Sequence, residues 1–365
     1  MIEKLIVKNI RSLENNEFYF SKLNIFSGLN SSGKSTLINL INIINQNEDD
    51  KIYLNGEFCN FGTVKSTLHY KRHEFGVDGK ASYTLKNGVK GELAFLEESG
   101  DSVSIRNTIK NICESVNIRY LSSDRITPSW TYQIENSSKD NRDLGVKGEL
   151  SISYMSQIKS SDEVSIPSLI HKSLLKENEK KFKANSLLGN IERWLGVISP
   201  GVKVNAEHLV DINASKLSFG FSEEDKFSPH SVGFGLTHCL PIILLVLTSV
   251  PGDILIIENP ELNLHPEGQV ELCQLFCLAA ASGVQVILET HSDHIINSAR
   301  LGIKRNILKN TDINLSYLYQ DIIGSGFNKR VSTFNERIKI LENGKLQEPP
   351  KGFFDTWRNS LMELV

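Results

Sequence analysis

A loop of the form Gly-x-x-x-x-Gly-Lys-Ser runs Gly28-Leu29-Asn30-Ser31-Ser32-Gly33-Lys34-Ser35, with Thr36 next in line. These residue types at this spacing suit the holding of a nucleotide's phosphates. Glycine at 28 and 33 lets the chain curl until successive N–H groups converge on phosphate oxygens. The expected phosphate ligands are Asn30, Ser31, Ser32, Gly33, Lys34, Ser35 and Thr36. Lys34 is expected on the β- and γ-phosphates, and the Ser35 hydroxyl on Mg²⁺. ATP and Mg²⁺ are the cofactors this pattern implies.

A second set of chemistry-bearing residues lies far downstream. Asp253-Ile254-Leu255-Ile256-Ile257-Glu258 is an aliphatic run that closes on an acid, the Walker B pattern. A run this short and apolar suits a central strand buried on both faces, and its acid then emerges at the strand's carboxyl end. Glu258 takes the Mg²⁺ side. After a loop and an amphipathic helix over 267–282, Val284-Gln285-Val286-Ile287-Leu288-Glu289 forms the next strand and ends at Thr290-His291-Ser292. A histidine just past a central strand can reach a γ-phosphate, so His291 is a candidate.

The elements that must position these groups are legible in the pattern. Leu23-Asn24-Ile25-Phe26-Ser27 is a short buried strand before the glycine loop. Leu37, Leu40, Ile41 and Ile44 then fall at helical spacing. Residues 1–27 alternate as two strands, with Glu14-Asn15-Asn16 as the expected turn between them. Arg11, on the turn side of the first strand, reads as a solvated surface residue, with a nucleotide contact as the alternative. From 64 to 106 short alternating segments separated by Gly88, Gly91 and Gly100 predict an antiparallel meander. His69-Tyr70-Lys71-Arg72-His73 reads as an exposed edge. Residues 135–165 are polar and predict a loop; 168–194 predict one or two helices, with the charged run 176–183 as a solvated face. Alternation returns over 201–222.

The chain has 365 residues and a net charge of −3, which gives no global bias toward nucleic acid. No apolar run is long enough to span a membrane, and 1–4 show no signal-peptide pattern. Five cysteines without a Cys-x-x-Cys pair suit a reducing cytosol, so a cytoplasmic location is expected. Cys273 and Cys277, four apart on a helix, read as core.

The run Glu258-Asn259-Pro260-Glu261-Leu262-Asn263-Leu264-His265-Pro266, a helix and then Thr290-His291-Ser292 resembles the ABC-type ATPases of the chromosome-maintenance, RecF and OLD kind. The opening, with Val7-Lys8-Asn9-Ile10-Arg11-Ser12-Leu13 ahead of the glycine loop, is similar to theirs. The resemblance covers roughly 1–60 and 230–365. It implies an α/β ATPase head with a mixed central sheet, an antiparallel β subdomain and a helical insert. The expected division is 1–134, an N-terminal lobe; 135–225, the insert; 226–325, a C-terminal lobe; and 326–365, a tail. Such enzymes carry a signature loop upstream of Walker B, and Ser231-Val232-Gly233-Phe234-Gly235 stands there. Ser231, Gly233 and Gly235 are its candidate nucleotide contacts, in a degenerate form of the motif. The tail Gly352-Phe353-Phe354-Asp355 resembles that of a bacterial subfamily linked to phage defence.

The resemblance also implies two heads closing around ATP, as a homodimer or higher oligomer, with His291 sensing the γ-phosphate. One position departs from it. Where a second glutamate usually serves as base, this chain has Asn259, and an amide takes no proton at neutral pH. Three arrangements stay open: Glu258 serves both metal and water, Glu261 moves in, or hydrolysis is slow. The last 65 or so residues show no paired-carboxylate nuclease constellation, so a nuclease or toxin partner is the expected effector, in DNA maintenance, DNA repair or antiviral defence. Lys304, Arg305, Lys309, Lys329, Arg330, Arg337 and Lys339 leave direct DNA contact open. The competing function is a nucleotide-locked scaffold that oligomerises and sequesters its partner without significant turnover.

Overall fold

The structure is a computed structural model, and it describes residues 1–46, 52–68, 79–97, 103–134, 142–176, 183–222, 224–324, 329–350, 353 and 362. The chain divides into two compact units. The first comprises 1–118, 289–293 and 309–365; the second comprises 119–288 and 294–308.

Two sheets build the first unit. One is antiparallel, with strands in the order Leu13–Tyr19, Ile2–Ile10, Gly79–Leu85, Lys90–Glu97, Val103–Asn107. This contains the expected meander. In the other, Leu23–Gly28 runs parallel to Ile313–Ile323, pairing Ser27 with Tyr317 and Gly28 with Leu318. Ile313–Ile323 pairs antiparallel on its far side with Arg330–Ile340, so this sheet is mixed. The helix Lys34–Gln46 buries Leu37, Leu40, Ile41 and Ile44, the spacing that announced it.

All of Asp253–Glu258 and most of Gln285–Glu289 and Asn117–Leu121 fall in the second unit, with Asp253–Glu258 between the other two strands. Ile254, Leu255, Ile256 and Ile257 are fully buried, as a strand covered on both faces requires. The helix Phe234–Leu247 is apolar on every side and buried from Gly235 to Leu247. Pro266–Ala281 starts on a His265 cap with Pro266 at its first position. A hairpin of Lys203–Leu209 and Ala214–Gly220 completes the alternation expected over 201–222. Lys172–Lys176 and Leu187–Gly196 are the helices expected over 168–194.

Two expectations are corrected. The turn between the first two strands falls at Arg11-Ser12, with Ile10 paired to Leu13, and not at Glu14-Asn15-Asn16. Asn9 and Arg11 adopt positive φ there (53° and 49°), whereas Asn16 is buried in the strand and donates to the Thr333 carbonyl at 3.0 Å. A tertiary acceptor thus satisfies an asparagine that local chemistry assigns to a turn. Within 135–165, where only loop was expected, Ser151–Ser156 is a helix with Ile152 and Met155 buried. Its serines are small enough to pack, which polarity alone conceals.

The basic patch 69–73, most of the charged run 176–183, and the tail motif apart from Phe353 lie outside the described residues. Phe353 is buried, its ring edge-on to Tyr317 at 5.5 Å. Among the described residues no helix is long and apolar enough to cross a membrane.

Candidate nucleotide-binding site

The strand Leu23–Gly28 delivers the chain to the glycine loop at a point where a side chain has no room. Gly28 has φ 150°, and a Cβ there would sit 2.0 Å from the Leu318 carbonyl oxygen. Ser31 and Gly33 also take positive φ, 63° and 94°. These reversals curl the loop, and the helix Lys34–Gln46 starts directly from it, with the Leu37 N–H on the Gly33 carbonyl at 3.0 Å. A helix N-terminus with free N–H groups favours an anion.

The loop is braced from behind. A Cβ on Gly33 would meet Ser12 Oγ and Thr333 Oγ1, each at 3.3 Å. Those two hydroxyls bond each other at 2.8 Å, and the Thr333 N–H donates to the Ser12 carbonyl at 2.9 Å. Gln320 donates to the Ser31 carbonyl at 2.7 Å. In front of the loop a cavity of about 350 Å³ is lined by Ser31, Ser32, Gly33, Lys34, Ser35 and Thr36 together with Arg11, Ser12, Ser66, Leu68 and Gln320.

Lys34 is 4% exposed. Its Nζ donates to the carbonyls of Gly28 (3.0 Å) and Leu29 (2.9 Å) and lies 3.9 Å from Glu289 Oε1. Burial holds the ammonium below its ordinary pKa, and the Glu289 carboxylate opposes that shift. A buried cation resting on main-chain oxygens, with a 350 Å³ space before it, fits a polyphosphate: phosphate oxygens can replace those carbonyls as acceptors.

Arg11 lies at the rim. Its guanidinium donates to the carbonyls of Asn60 and Phe61, both at 3.2 Å, and sits 5.0 Å from the Phe61 ring centroid. Burial lowers its pKa as well. It is part of the pocket lining, not the solvated surface residue of the sequence reading.

At the end of Gln285–Glu289, the Thr290 N–H donates to the Phe26 carbonyl at 3.1 Å, which ties this segment to the glycine-loop strand. His291 follows and is exposed. The first unit thereby contains the whole loop, Glu289 and His291.

Glu258, Asn259, Glu261, Ser231, Gly233 and Gly235 belong to the second unit. The Glu258 carboxylate accepts from the Tyr120 hydroxyl at 2.9 Å and from the Ser123 N–H at 3.3 Å. Beneath it runs Arg125, 2% exposed. Its guanidinium donates to three carbonyls: Ser122 at 2.9 Å, Glu258 at 2.6 Å and Asn259 at 2.7 Å. Burial lowers its pKa, and Glu261 and Glu258 are among the groups opposing that. Arg125 thus spans the corner where Asn259 turns to φ 42°. Asparagine tolerates this left-handed region better than most residues.

In the signature-like loop, Ser231 is exposed and its hydroxyl bonds Ser228 Oγ at 3.2 Å. Gly233 is exposed and caps the helix Phe234–Leu247. Gly235 is buried, and a Cβ there would stand 2.6 Å from the Asn263 carbonyl oxygen. Packing therefore demands its small size. On the next turn His238 contacts Phe234 (ring centroids 5.0 Å apart) and Asn263, and burial and Arg125 push it down to about 4.

Residues 23–297 match the family described as AAA domain, putative AbiEii toxin, Type IV TA system. The chain belongs to this family. Residues 308–364 match a second, described as a protein of unknown function, DUF3696. The Smc head domain of Pyrococcus furiosus, with an extended coiled coil and bound to the C-terminal domain of ScpA, superposes with a TM-score of 0.51 at 12% identity over 100% of this chain and 99% of that one. This likeness shows the fold of an Smc head domain. An SmcHead bound to the C-winged helix domain of ScpA gives 0.48 at 12% identity, over 92% of this chain and 97% of its own. The SMC head of Thermotoga maritima gives 0.43 at 12%, over 91% and 98%. No curated protein matches the chain at a significant level.

Several residues near the site carry little mark in the sequence of this AAA-family chain. Tyr120 lies on the strand expected over 117–121, Arg125 in the polar stretch after it and Gln320 on an ordinary strand, with no local signal of a role for any of them. Glu289 did carry one: an acid closing a buried aliphatic strand, as Glu258 does.

Proposed function

We propose that this chain is an ATP-binding switch subunit that hydrolyses ATP slowly and closes head-to-head with a second copy around the nucleotide. The observation that carries this reading is the buried Lys34 ammonium, resting on two loop carbonyls at the floor of the 350 Å³ pocket. Triphosphate entering that pocket draws Lys34 and the loop N–H groups onto its β- and γ-phosphates. Ser35 and Glu258 are the residues to hold Mg²⁺, which screens the phosphate charge. His291 meets the γ-phosphate, and Ser231, Gly233 and Gly235 meet the nucleotide of the opposite head. The γ-phosphate is then the differential contact that favours the closed state, and its loss reopens it.

Such a switch controls an effector, a nuclease or toxin, in bacterial DNA maintenance or antiviral defence. The family's description as a toxin of a Type IV TA system and the tail resemblance support that placement. The ScpA domain bound to the Pyrococcus furiosus Smc head supports a protein partner at such a head. A cytoplasmic site of action follows from the same reading.

Fluorescent-nucleotide titration, phosphate release and light scattering with and without ATP test it. Micromolar Mg-ATP affinity, ATP-dependent doubling of mass and low but measurable phosphate release are expected. Absence of nucleotide binding refutes the reading.

Asn259 favours a second reading, a nucleotide-locked scaffold that sequesters its partner. Flat phosphate release with tight ATP binding and stable oligomers selects it.

A further inference from the structure

The acid usually found after the Mg²⁺-side residue is Asn259 here, and an amide cannot serve as a base. A different carboxylate stands beside the phosphate-loop lysine. Glu289 Oε1 is 3.9 Å from Lys34 Nζ, and the two side chains are 7% and 4% exposed. Glu289 closes the strand Gln285–Glu289, and Thr290, the next residue, is fastened by its N–H to the Phe26 carbonyl of the loop strand at 3.1 Å. Its position is thus set by main-chain hydrogen bonding and not by a mobile loop.

We propose that Glu289 is the general base for hydrolysis of the γ-phosphate, in place of the amide at 259. This rests on the ATPase reading above. A carboxylate fixed beside the ammonium that will hold the γ-phosphate is placed to take a proton from a water attacking the phosphorus. When Lys34 turns from its present contacts to the phosphates, Glu289 gives up part of that counter-charge just as anionic oxygens arrive. In the step itself the water oxygen bonds to the γ-phosphorus, the β–γ bridging oxygen departs with ADP, and Glu289 accepts a water proton. The products are ADP and inorganic phosphate, and the proton passes on to solvent. Phosphoryl transfer depends mostly on positioning and charge neutralisation, so a base reached by this route is compatible with slow turnover.

The test compares wild type, Glu289→Gln and Glu289→Asp in the full chain, reading affinity for a fluorescent ATP analogue with Mg²⁺, steady-state phosphate release, lifetime of the ATP-dependent dimer and thermal melting. Glu289→Gln is expected to bind nucleotide within about twofold of wild type, lower kcat by about 10²-fold or more and lengthen the dimer's lifetime. Glu289→Asp, whose carboxylate is withdrawn by one methylene, is expected to bind normally and lose about tenfold or more in kcat. A structural counter-ion for Lys34 behaves oppositely: Glu289→Gln then loses affinity and melting temperature while Glu289→Asp keeps wild-type kcat, and that pattern overturns the proposal. Wild-type kcat in Glu289→Gln also overturns it and leaves the ATPase reading intact. If Glu289→Gln does not fold, Glu289→Asp decides. Wild-type protein that binds ATP without releasing phosphate removes both the hydrolytic reading and this base.

Discussion

Gln320 donates from Nε2 to the carbonyl of Ser31 at 2.7 Å, across 289 positions of sequence. The strand that carries it, Ile313–Ile323, lies beside the glycine-loop strand, and its Leu318 carbonyl is what forbids a side chain at Gly28. The segment matching DUF3696 therefore braces the glycine loop of the AAA domain. Gln320→Ala is expected to weaken Mg-ATP affinity by about 2–10-fold, the worth of one hydrogen bond, with little change in melting temperature. Titration of a fluorescent ATP analogue checks this.

Lys34→Ala removes the cation and leaves its two acceptor carbonyls and Glu289 facing a cavity. Nucleotide affinity should fall by about 10²-fold or more, and ATP-dependent mass doubling should vanish. Wild-type phosphate release in this variant contradicts the site assignment. Far-UV circular dichroism distinguishes it from unfolding.

Arg125 supplies donors to the carbonyls of Ser122, Glu258 and Asn259 from a buried position. Arg125→Met strands these acceptors and should destabilise the protein by about 2–4 kcal/mol. Arg125→Lys should recover only part of that, because a single ammonium cannot span three acceptors held in the guanidinium's plane. Chemical denaturation compares the three proteins.

Asn259 sits at φ 42°. Glutamate is poorer in that region, so Asn259→Glu should cost about 1 kcal/mol and lower the melting temperature by roughly 2 °C. If Glu289 is the base, this restoration of the usual acid should raise kcat by no more than about threefold over wild type, read by phosphate release.

His238 is held down to about 4, well below the ordinary 6.5. The unfolded chain therefore binds more protons there between those values, and stability falls as the pH drops from about 6.5 to about 4. Allowing for solvent screening, the loss is on the order of 1–2 kcal/mol. His238→Gln should flatten this part of a plot of melting temperature against pH.

How far the fold could be read in advance differs from element to element. The glycine loop, the helix Lys34–Gln46 and the strands Leu23–Gly28, Asp253–Glu258 and Gln285–Glu289 are visible because burial on both faces or on one helical stripe imposes composition directly. The helix Ser151–Ser156 escaped notice because small hydroxyl side chains pack without an apolar signature. The turn at Arg11-Ser12 escaped because Asn16 finds its partner at Thr333, 317 positions away.

What the order of residues settles by itself is the local chemistry: a curled loop of N–H groups ending in Lys34, an acid at the end of each of two buried strands, and an amide at 259 where a base is usual. Backbone freedom at glycine and side-chain acidity are properties of single residues or short runs, so they are written into the sequence. Which distant groups stand next to that chemistry was decided only by the tertiary structure. Glu289 meets Lys34, Arg125 grips the corner at Asn259, and Gln320 and Thr333 support the loop from the far end of the chain. Those meetings depend on strand order and register, which are set by many weak packing terms acting together and leave no mark on any one short stretch.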